Sequence, residues 1–254
     1  MTKRTGSFFK SLQKEFAQLV DEHELKEAKV RVTAKPLTPE DAIGSTKRKD
    51  YVILKGKERL LQAELMGCRG QAFTSALGDF NGTLEDVLAL PLENDYQRAV
   101  YIATLNAAAY YTGKVKNTVH CRNEGPELCA RQAADYFREH YGQPHILMVG
   151  YQPALAEALN QVFQLTVLDL DPANIGRTIN GVLIHDGGAA NLDKHLAACD
   201  VIFATGSIMC NDTADPLTES GKPLVVFGTT GSGAAALLGI GRFCPESTEA
   251  VSKK

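Results

Sequence analysis

Short apolar runs recur through the second half of the chain, with helix-forming segments between them. The segment 153–163, for example, places Leu155, Leu159 and Phe163 on one helical face. Strands that are apolar throughout and that alternate with helices are typical of a parallel sheet covered by helices on both faces. The predicted strands are 145–150, 165–168, 182–184, 201–204 and 224–227.

The first half has a different pattern, with strands early and helices late. Apolar residues at helical spacing predict a helix near the start, over 7–20, and the runs 51–54 and 60–66 predict a hairpin. Thr83 and Asp86 have the spacing of a capping box, and a longer helix is predicted from 95 to 112, before Gly113. We therefore predict an α+β domain over residues 1–115 and a parallel α/β domain over 116–254.

Composition and charge exclude several classes of protein. A net charge of −3 on 254 residues provides no global basic field of the kind that nucleic-acid binding requires. The sequence has no run of about 18 apolar residues and no apolar core of a secretory signal. Its six cysteines form no C-x-x-C pair, which favours reduced thiols over a disulfide framework. We therefore expect a cytoplasmic protein that binds neither nucleic acid nor membrane.

The loops after the predicted strands are where a sheet of this kind binds ligands. The first loop, Gly150-Tyr151-Gln152-Pro153, lacks the G-x-G-x-x-G dinucleotide fingerprint. Asp169 nevertheless lies 19 residues after Gly150, at the end of the second strand. An acid at that place in nucleotide-binding sheets accepts hydrogen bonds from ribose hydroxyls. The alternative is a solvated acid at a strand end.

The loop after the fourth predicted strand is rich in polar side chains. These side chains suit contact with a ligand, although capping of the next helix would account for one or two of them. The residues are Thr205, Gly206, Ser207, Cys210, Asn211 and Thr213.

The stretch VVFGTTGSGAAALLG follows the same strand-to-helix pattern near the end of the chain. Gly231-Ser232-Gly233 and Ala236 formally match G-x-G-x-x-A, but no Walker A lysine is present. A helix N-terminus beside Thr229, Thr230 and Gly231 suits an anion. Alternatively, the small residues let the helix pack closely on the sheet.

The first half and the domain boundary contain further candidate residues. Asn81 and Thr83 lie in a polar loop that is also typical of a turn followed by a helix cap. Asn106 is expected to be buried in the long helix, and a buried amide needs partners. Arg98 is placed to pair with Asp95 or to reach an anion.

A soft or borderline metal finds its best local ligand set in His120-Cys121, with Glu124 nearby. Zinc sites usually have two close ligand pairs, and this segment has one. Cys129 is expected in the core, on the apolar face of its helix. Cys199 and Cys244 are also expected to be packing residues.

Several segments of the sequence together form a recognisable set: 78–88 (GDFNGTLEDVL), 98–107 (RAVYIATLNA), 118–121 (TVHC), 150–154 (GYQPA), 169–176 (DLDPANIG), 205–207 with Asn211 and Thr213, and 234–244 (AAALLGIGRFC). In combination they resemble one family, DUF364, labelled "putative heavy-metal chelation", with its DUF4213 N-terminal partner. The resemblance extends over about residues 8 to 246.

The resemblance implies an enolase N-terminal-like domain, then a Rossmann-like domain, with a site between them. On this chain that site would bring residues of the first half opposite the strand-end loops of the second. The candidate ligand-binding residues are Asn81, Thr83, Arg98, Asn106, Gly150, Gln152, Pro153, Asp169, Thr205, Gly206, Ser207, Asn211, Thr213, Thr229, Thr230 and Gly231.

Three functions remain open from the sequence. The protein binds a divalent heavy metal or a metal chelate through His120, Cys121 and Cys210, or it is an enzyme that uses an adenosine-containing nucleotide held by Asp169. The third possibility is a sensor or scaffold that binds a metabolite without turnover. In each case we expect a small-molecule or metal ligand, and a homodimer is the default oligomer.

Overall fold

Two β-sheets organise the chain. The computed structural model describes residues 6–33, 44–45, 48, 50–51, 59–76 and 78–249, without the side chains of 189–191. The first sheet has four strands and the second has seven. The predicted fold class is confirmed as a mixed α/β fold with two sheets, one of them mostly parallel.

The first sheet is antiparallel, with the strand order β3-β2-β1-β4. Its strands are β1 (Lys29–Thr33), β2 (Arg59–Leu65), β3 (Cys68–Thr74) and β4 (Phe80–Thr83). Met66 and Gly67 join β2 to β3 with φ angles of 51° and 80°, the positive values that a type I′ hairpin turn requires. The hairpin of β2 is therefore made with β3. The sequence predicted the strand 51–54 as the partner of 60–66, but residues 52–58 lie outside the described residues.

Three helices accompany the first sheet: α1 (Ser7–Glu22), α2 (Leu84–Leu88) and α3 (Asp95–Tyr111). The predicted capping box is confirmed, because Asp86 N donates to Thr83 Oγ1 at 3.2 Å and Thr83 N donates to the Asp86 carboxylate at 2.8 Å. α3 is buried almost all round, from Arg98 to Ala109. It ends before Gly113, whose φ is 75°.

The second sheet has the strand order β11-β10-β9-β5-β6-β8-β7. Numbered along the chain, its six parallel strands have the order 3-2-1-4-5-6 of a doubly wound sheet. All five predicted strands are present, whereas β7 and β11 are additions. The strands are β5 (Ile146–Val149), β6 (Leu165–Asp169), β7 (Thr178–Ile179), β8 (Val182–Asp186), β9 (Val201–Thr205), β10 (Leu224–Phe227) and β11 (Gly241–Phe243).

Helices cover both faces of this sheet, as predicted. Along β5, Ile146 and Met148 face a cluster with residues of α4 and α5, whereas Leu147 faces a cluster with residues of α1 and α3. That second cluster also includes the first sheet, so the two halves of the chain share one core. The remaining helices are α4 (Gly125–Tyr141), α5 (Pro153–Asn160), α6 (Ala189–Ala198), α7 (Ser207–Cys210), α8 (Asp215–Thr218) and α9 (Ser232–Leu238).

The side chain of Asn106 joins the two halves. Its amide nitrogen donates to Gln71 O of β3 at 2.9 Å, and to Thr229 O and Thr230 O of the β10–α9 loop at 3.2 and 3.0 Å. Its carbonyl oxygen accepts the N–H of Gly233 in α9 at 2.6 Å. The predicted burial of Asn106 at the junction is therefore confirmed, and its partners belong to the protein itself.

Two glycines permit this close approach. A Cβ at Gly70 would lie 2.3 Å from both Ala103 O and Ala107 N, so β3 contacts the backbone of α3 directly. A Cβ at Gly233 would lie 2.1 Å from Leu105 Cδ2. Close helix packing, one of the two interpretations of the 231–233 glycines, is therefore what Gly233 provides.

The division at 115/116 and the enolase-like character of the first half remain predictions. None of the described helices is both long enough and apolar enough to cross a membrane.

Replacing Asn106 by alanine should destabilise the fold strongly. The change leaves a buried N–H and three buried carbonyls with one partner fewer, and each unpaired buried group costs about 1–3 kcal/mol. We expect the free energy of unfolding, from urea titrations, to fall by about 3 kcal/mol or more. The matched control is Asn160→Ala, whose exposed side chain makes one 3.4 Å hydrogen bond. An equal loss of unfolding free energy in Asn160→Ala would contradict the role of Asn106 in joining the two halves.

Candidate functional site

A cavity of about 620 Å³ opens at the carboxyl edge of the parallel sheet. The loops after β5, β6, β9 and β10 form most of its wall, and Phe73 and Ser75 of the first sheet close another side. Eleven of the sequence-predicted site residues lie in this wall. They are His120, Cys121, Gly150, Gln152, Pro153, Asp169, Thr205, Ser207, Asn211, Thr213 and Thr230.

Seven other predicted ligand residues do not line the cavity: Asn81, Thr83, Arg98, Asn106, Gly206, Thr229 and Gly231. Asn81 lies instead in a separate groove on the first sheet, with Lys29 and Arg31. Thr83 caps α2, as described above. Cys210, a suggested metal ligand, is fully buried away from the cavity wall.

Arg98 is bound within the protein. Its guanidinium donates to Cys210 O at 2.8 Å, to Leu92 O at 2.9 Å and to the Asp95 carboxylate at 2.5 Å. It is 6 % exposed. Of the two roles considered from the sequence, pairing with Asp95 is the one that the structure has.

The carboxylate of Asp169 organises its own loop. One oxygen accepts the N–H groups of Leu170 and Asp171 at 2.6 and 3.0 Å. The other accepts Asn174 Nδ2 at 3.0 Å and Tyr151 N at 3.4 Å. A carboxylate has about four acceptor positions, so these donors compete with a ribose diol for the oxygens of Asp169.

The helix N-termini at this edge are also satisfied from within. Gln152 caps α5 by accepting Leu155 N at 2.6 Å, and the next residue, Pro153, has no N–H to offer. At α9, Asn106 accepts the N–H of Gly233. Ser232 N donates to Thr229 O at 3.1 Å. In the predicted anion cradle at 229–233, the N–H groups of Ser232 and Gly233 are therefore bonded within the protein.

The lining carries negative but no positive side-chain charge. Among the described residues, Asp169 and Asp171 contribute carboxylates, and no lysine or arginine lines the cavity. Much of the remaining wall is apolar, including Phe73, Phe227 and Phe243. Phosphate binding normally relies on Lys, Arg or free helix N–H groups, and the described lining offers neither lysine nor arginine.

The segment after β9, which contains α7 and the residues that follow it, presents polar groups to the cavity. Asn211 is exposed at the cavity, and its carboxamide makes no hydrogen bond with the described part of the chain. Thr213 Oγ1 donates to Ile208 O at 3.3 Å, and Thr205 Oγ1 donates to Ser207 Oγ at 3.4 Å. Gly150 lies opposite this loop, where a Cβ would be 2.5 Å from Thr205 Cγ2.

Three thiols lie together in the wall near the first sheet: Cys121, Cys129 and Cys244. Cys121 packs against Gly125, which lies one helical turn before Cys129 in α4. Cys129 is a core residue, as predicted, but it also lines the cavity. No spacing in the sequence indicates this trio, because its members come from a linker, a helix and a strand end.

These thiols form no ready-made multidentate site. Among the described residues, no three His, Cys, Asp or Glu side chains are arranged to hold a metal ion. All six cysteines are free. Nδ1 of His120 contacts Cys121 O at 2.5 Å, and its ring packs edge-on against Phe73.

Acidification should destabilise the protein through His120. Removal of the ring from solvent lowers the pKa of His120 below the usual 6.5. The unfolded chain then binds this proton at a higher pH than the folded chain. The contribution of His120 to stability is therefore constant above about pH 6.5 and falls as the pH decreases towards the lowered pKa.

We expect His120→Gln to flatten the pH dependence of the unfolding free energy between about pH 6.5 and 5. The slope should decrease by at most about 1.4 kcal/mol per pH unit, measured by urea titration. His23→Gln, at an exposed position, is the control. Equal flattening in both variants would show that the effect is not specific to the cavity wall.

The comparisons with known proteins agree on one family. The family model DUF364, described as "Putative heavy-metal chelation", matches residues 132–241. No curated protein gives a significant match.

Two solved structures of proteins of unknown function from the DUF364 family are similar to this chain. The one from Pyrococcus horikoshii is 14% identical with a TM-score of 0.52, over 88% of this chain and 79% of its own. The one from Desulfitobacterium hafniense DCB-2 is 15% identical with a TM-score of 0.48, over 71% and 72%. At this identity, the first similarity concerns the fold alone. The match to the DUF364 model covers residues 132–241, which contain most of the parallel sheet.

Proposed function

We propose that the protein binds a small organic molecule in the cavity at the carboxyl edge of the parallel sheet, and that this molecule is uncharged or positively charged. The observation that carries the proposal is the charge of the described lining, two carboxylates with no lysine or arginine. A volume of about 620 Å³ suits a small-molecule ligand.

The contacts of the wall give less support to a nucleotide cofactor. Asp169 already accepts four hydrogen bonds from its own surroundings. Gln152 caps α5, and Asn106 accepts at the start of α9, so neither helix end is free for a phosphate. An adenosine-containing cofactor would have to displace these internal partners before it could bind.

The polar loop after β9 supplies the recognition groups for such a ligand. Asn211 offers an amide donor and a carbonyl acceptor that have no partner in the described part of the chain. The aromatic residues Phe73, Phe227 and Phe243 provide apolar surface around it. This combination of apolar wall and a few polar groups is typical of small-molecule sites.

A second candidate is metal handling, which the DUF364 description suggests. The specific observation in its favour is that Cys121, Cys129 and Cys244 line the same cavity. Soft thiolate ligands favour soft metal ions. The two candidates are compatible, since the thiols and the Asn211 loop belong to different parts of the wall.

The test uses pairs of probes that differ only by a phosphate, such as choline and phosphocholine, together with AMP, NAD and uncharged or cationic metabolites. A ligand at about 100 times its dissociation constant should stabilise the protein by about 2.7 kcal/mol. That corresponds to a rise in Tm of about 5–10 °C for a chain of this size. We expect the rise with non-phosphorylated members only, and a larger rise with the phosphorylated partners would overturn the proposal.

Asn211→Ala locates the site. Loss of one hydrogen bond of about 0.5–1.5 kcal/mol should weaken the bound probe by about 2- to 10-fold, measured by calorimetry. Asn160→Ala, exposed on α5, is the matched control and should bind the probe as the parent does. Equal binding by Asn211→Ala and the parent would place the ligand elsewhere.

A further inference from the structure

We propose that Cys121 and Cys129 form a two-coordinate site for a soft monovalent ion, Cu(I), in the wall of the cavity, with Cys244 beside it. The inference rests on the metal-handling candidate above and assigns to it the ligands and the class of ion. The two thiols lie near each other, because Cys121 packs against Gly125, one helical turn before Cys129 in α4.

The local fold brings these two thiols together. Cys121 lies on the linker before α4, and Cys129 lies within α4 itself. Gly125 at the start of α4 makes room, since a Cβ there would lie 2.7 Å from Cys121 Cβ and 3.2 Å from its Sγ. Only 7 % of Cys121 and 8 % of Cys129 are exposed, yet both line the cavity through which an ion would enter.

Arg242 brings a positive charge to this part of the wall, since it lies in β11 two residues before Cys244. Arg242 is itself held by Asn117 O at 2.7 Å and Ser247 Oγ at 3.2 Å. Such outer contacts orient metal ligands and tune their charge.

The number of available ligands selects the ion. Zinc in structural sites takes four ligands in a tetrahedron. The described residues contain no arrangement of even three suitable side chains, so a tetrahedral site would require rebuilding the wall. Cu(I) is soft, prefers thiolates and is satisfied by two sulfur ligands. Two thiols are what Cys121 and Cys129 provide without such rebuilding.

The charges and protons of the binding step balance. Each thiol loses its proton to solvent as a sulfur–copper bond forms, so two protons leave for each Cu(I) bound. The bound unit of two thiolates and one Cu(I) carries a single negative charge, which Arg242 lies near enough to compensate. No atom is oxidised or reduced.

The experiment is an anaerobic competition for Cu(I) between the reduced full-length protein and bicinchoninate. We expect one equivalent to bind, and Cys121→Ser or Cys129→Ser to weaken it by more than about 100-fold, since loss of an outer contact alone costs 10- to 100-fold. The control Cys68→Ser lies at the start of β3, away from the cavity wall, and should bind Cu(I) as the parent does.

Two outcomes would overturn the inference: unchanged Cu(I) binding by the Cys121→Ser/Cys129→Ser double variant, or binding of Zn(II) by the same thiols as tight as that of Cu(I). Cys121→Ser lies on a linker and tests the site even where Cys129→Ser in the helix core fails to fold. The thermal-shift probes keep the proposals apart. If the organic probes bind and Cu(I) does not, this inference fails while the small-molecule function stands.

Discussion

The carboxamide of Asn106 holds the two halves of this protein in one arrangement. It binds a carbonyl of the first sheet, two carbonyls of the β10–α9 loop and the N–H of Gly233 in α9. A second bond, from Phe73 N to Thr230 Oγ1 at 3.0 Å, ties the same loop to β3. Both Phe73 and Thr230 line the cavity, so this joint sets the position of one of its walls.

That joint also decides what the cavity is suited to bind. Because Asn106 accepts at the start of α9, a helix end that would attract an anion is occupied by a neutral side chain. At α5, the side chain of Gln152 accepts the N–H of Leu155. In the loop after β6, the Asp169 carboxylate accepts backbone N–H groups of its own loop. The described lining adds two carboxylates and an apolar wall, and the proposed preference for uncharged or cationic ligands rests on this combination.

Much of the architecture follows from local patterns. The capping box at Thr83, the end of α3 before Gly113 and the five apolar strands of the second half all depend on near neighbours in sequence. The 60–66 strand was found as well, but its partner was not, because a Met-Gly turn is a weak hairpin signal. β11 was missed because three residues carry too little pattern to distinguish a strand from a loop.

The features of the cavity also divide into those that local patterns predict and those that depend on long-range contacts. The sequence determined that strand-end loops would form it, because the carboxyl ends of parallel strands share one edge, and Gly150, Asp169, Thr205 and Asn211 are indeed in its wall. Only the tertiary structure decided that Arg98 and Asn106 bond internally, and that Cys121, Cys129 and Cys244 line one cavity. Hydrogen-bond partners and thiol contacts join segments up to 127 residues apart, as between Asn106 and Gly233, and no local periodicity encodes such contacts.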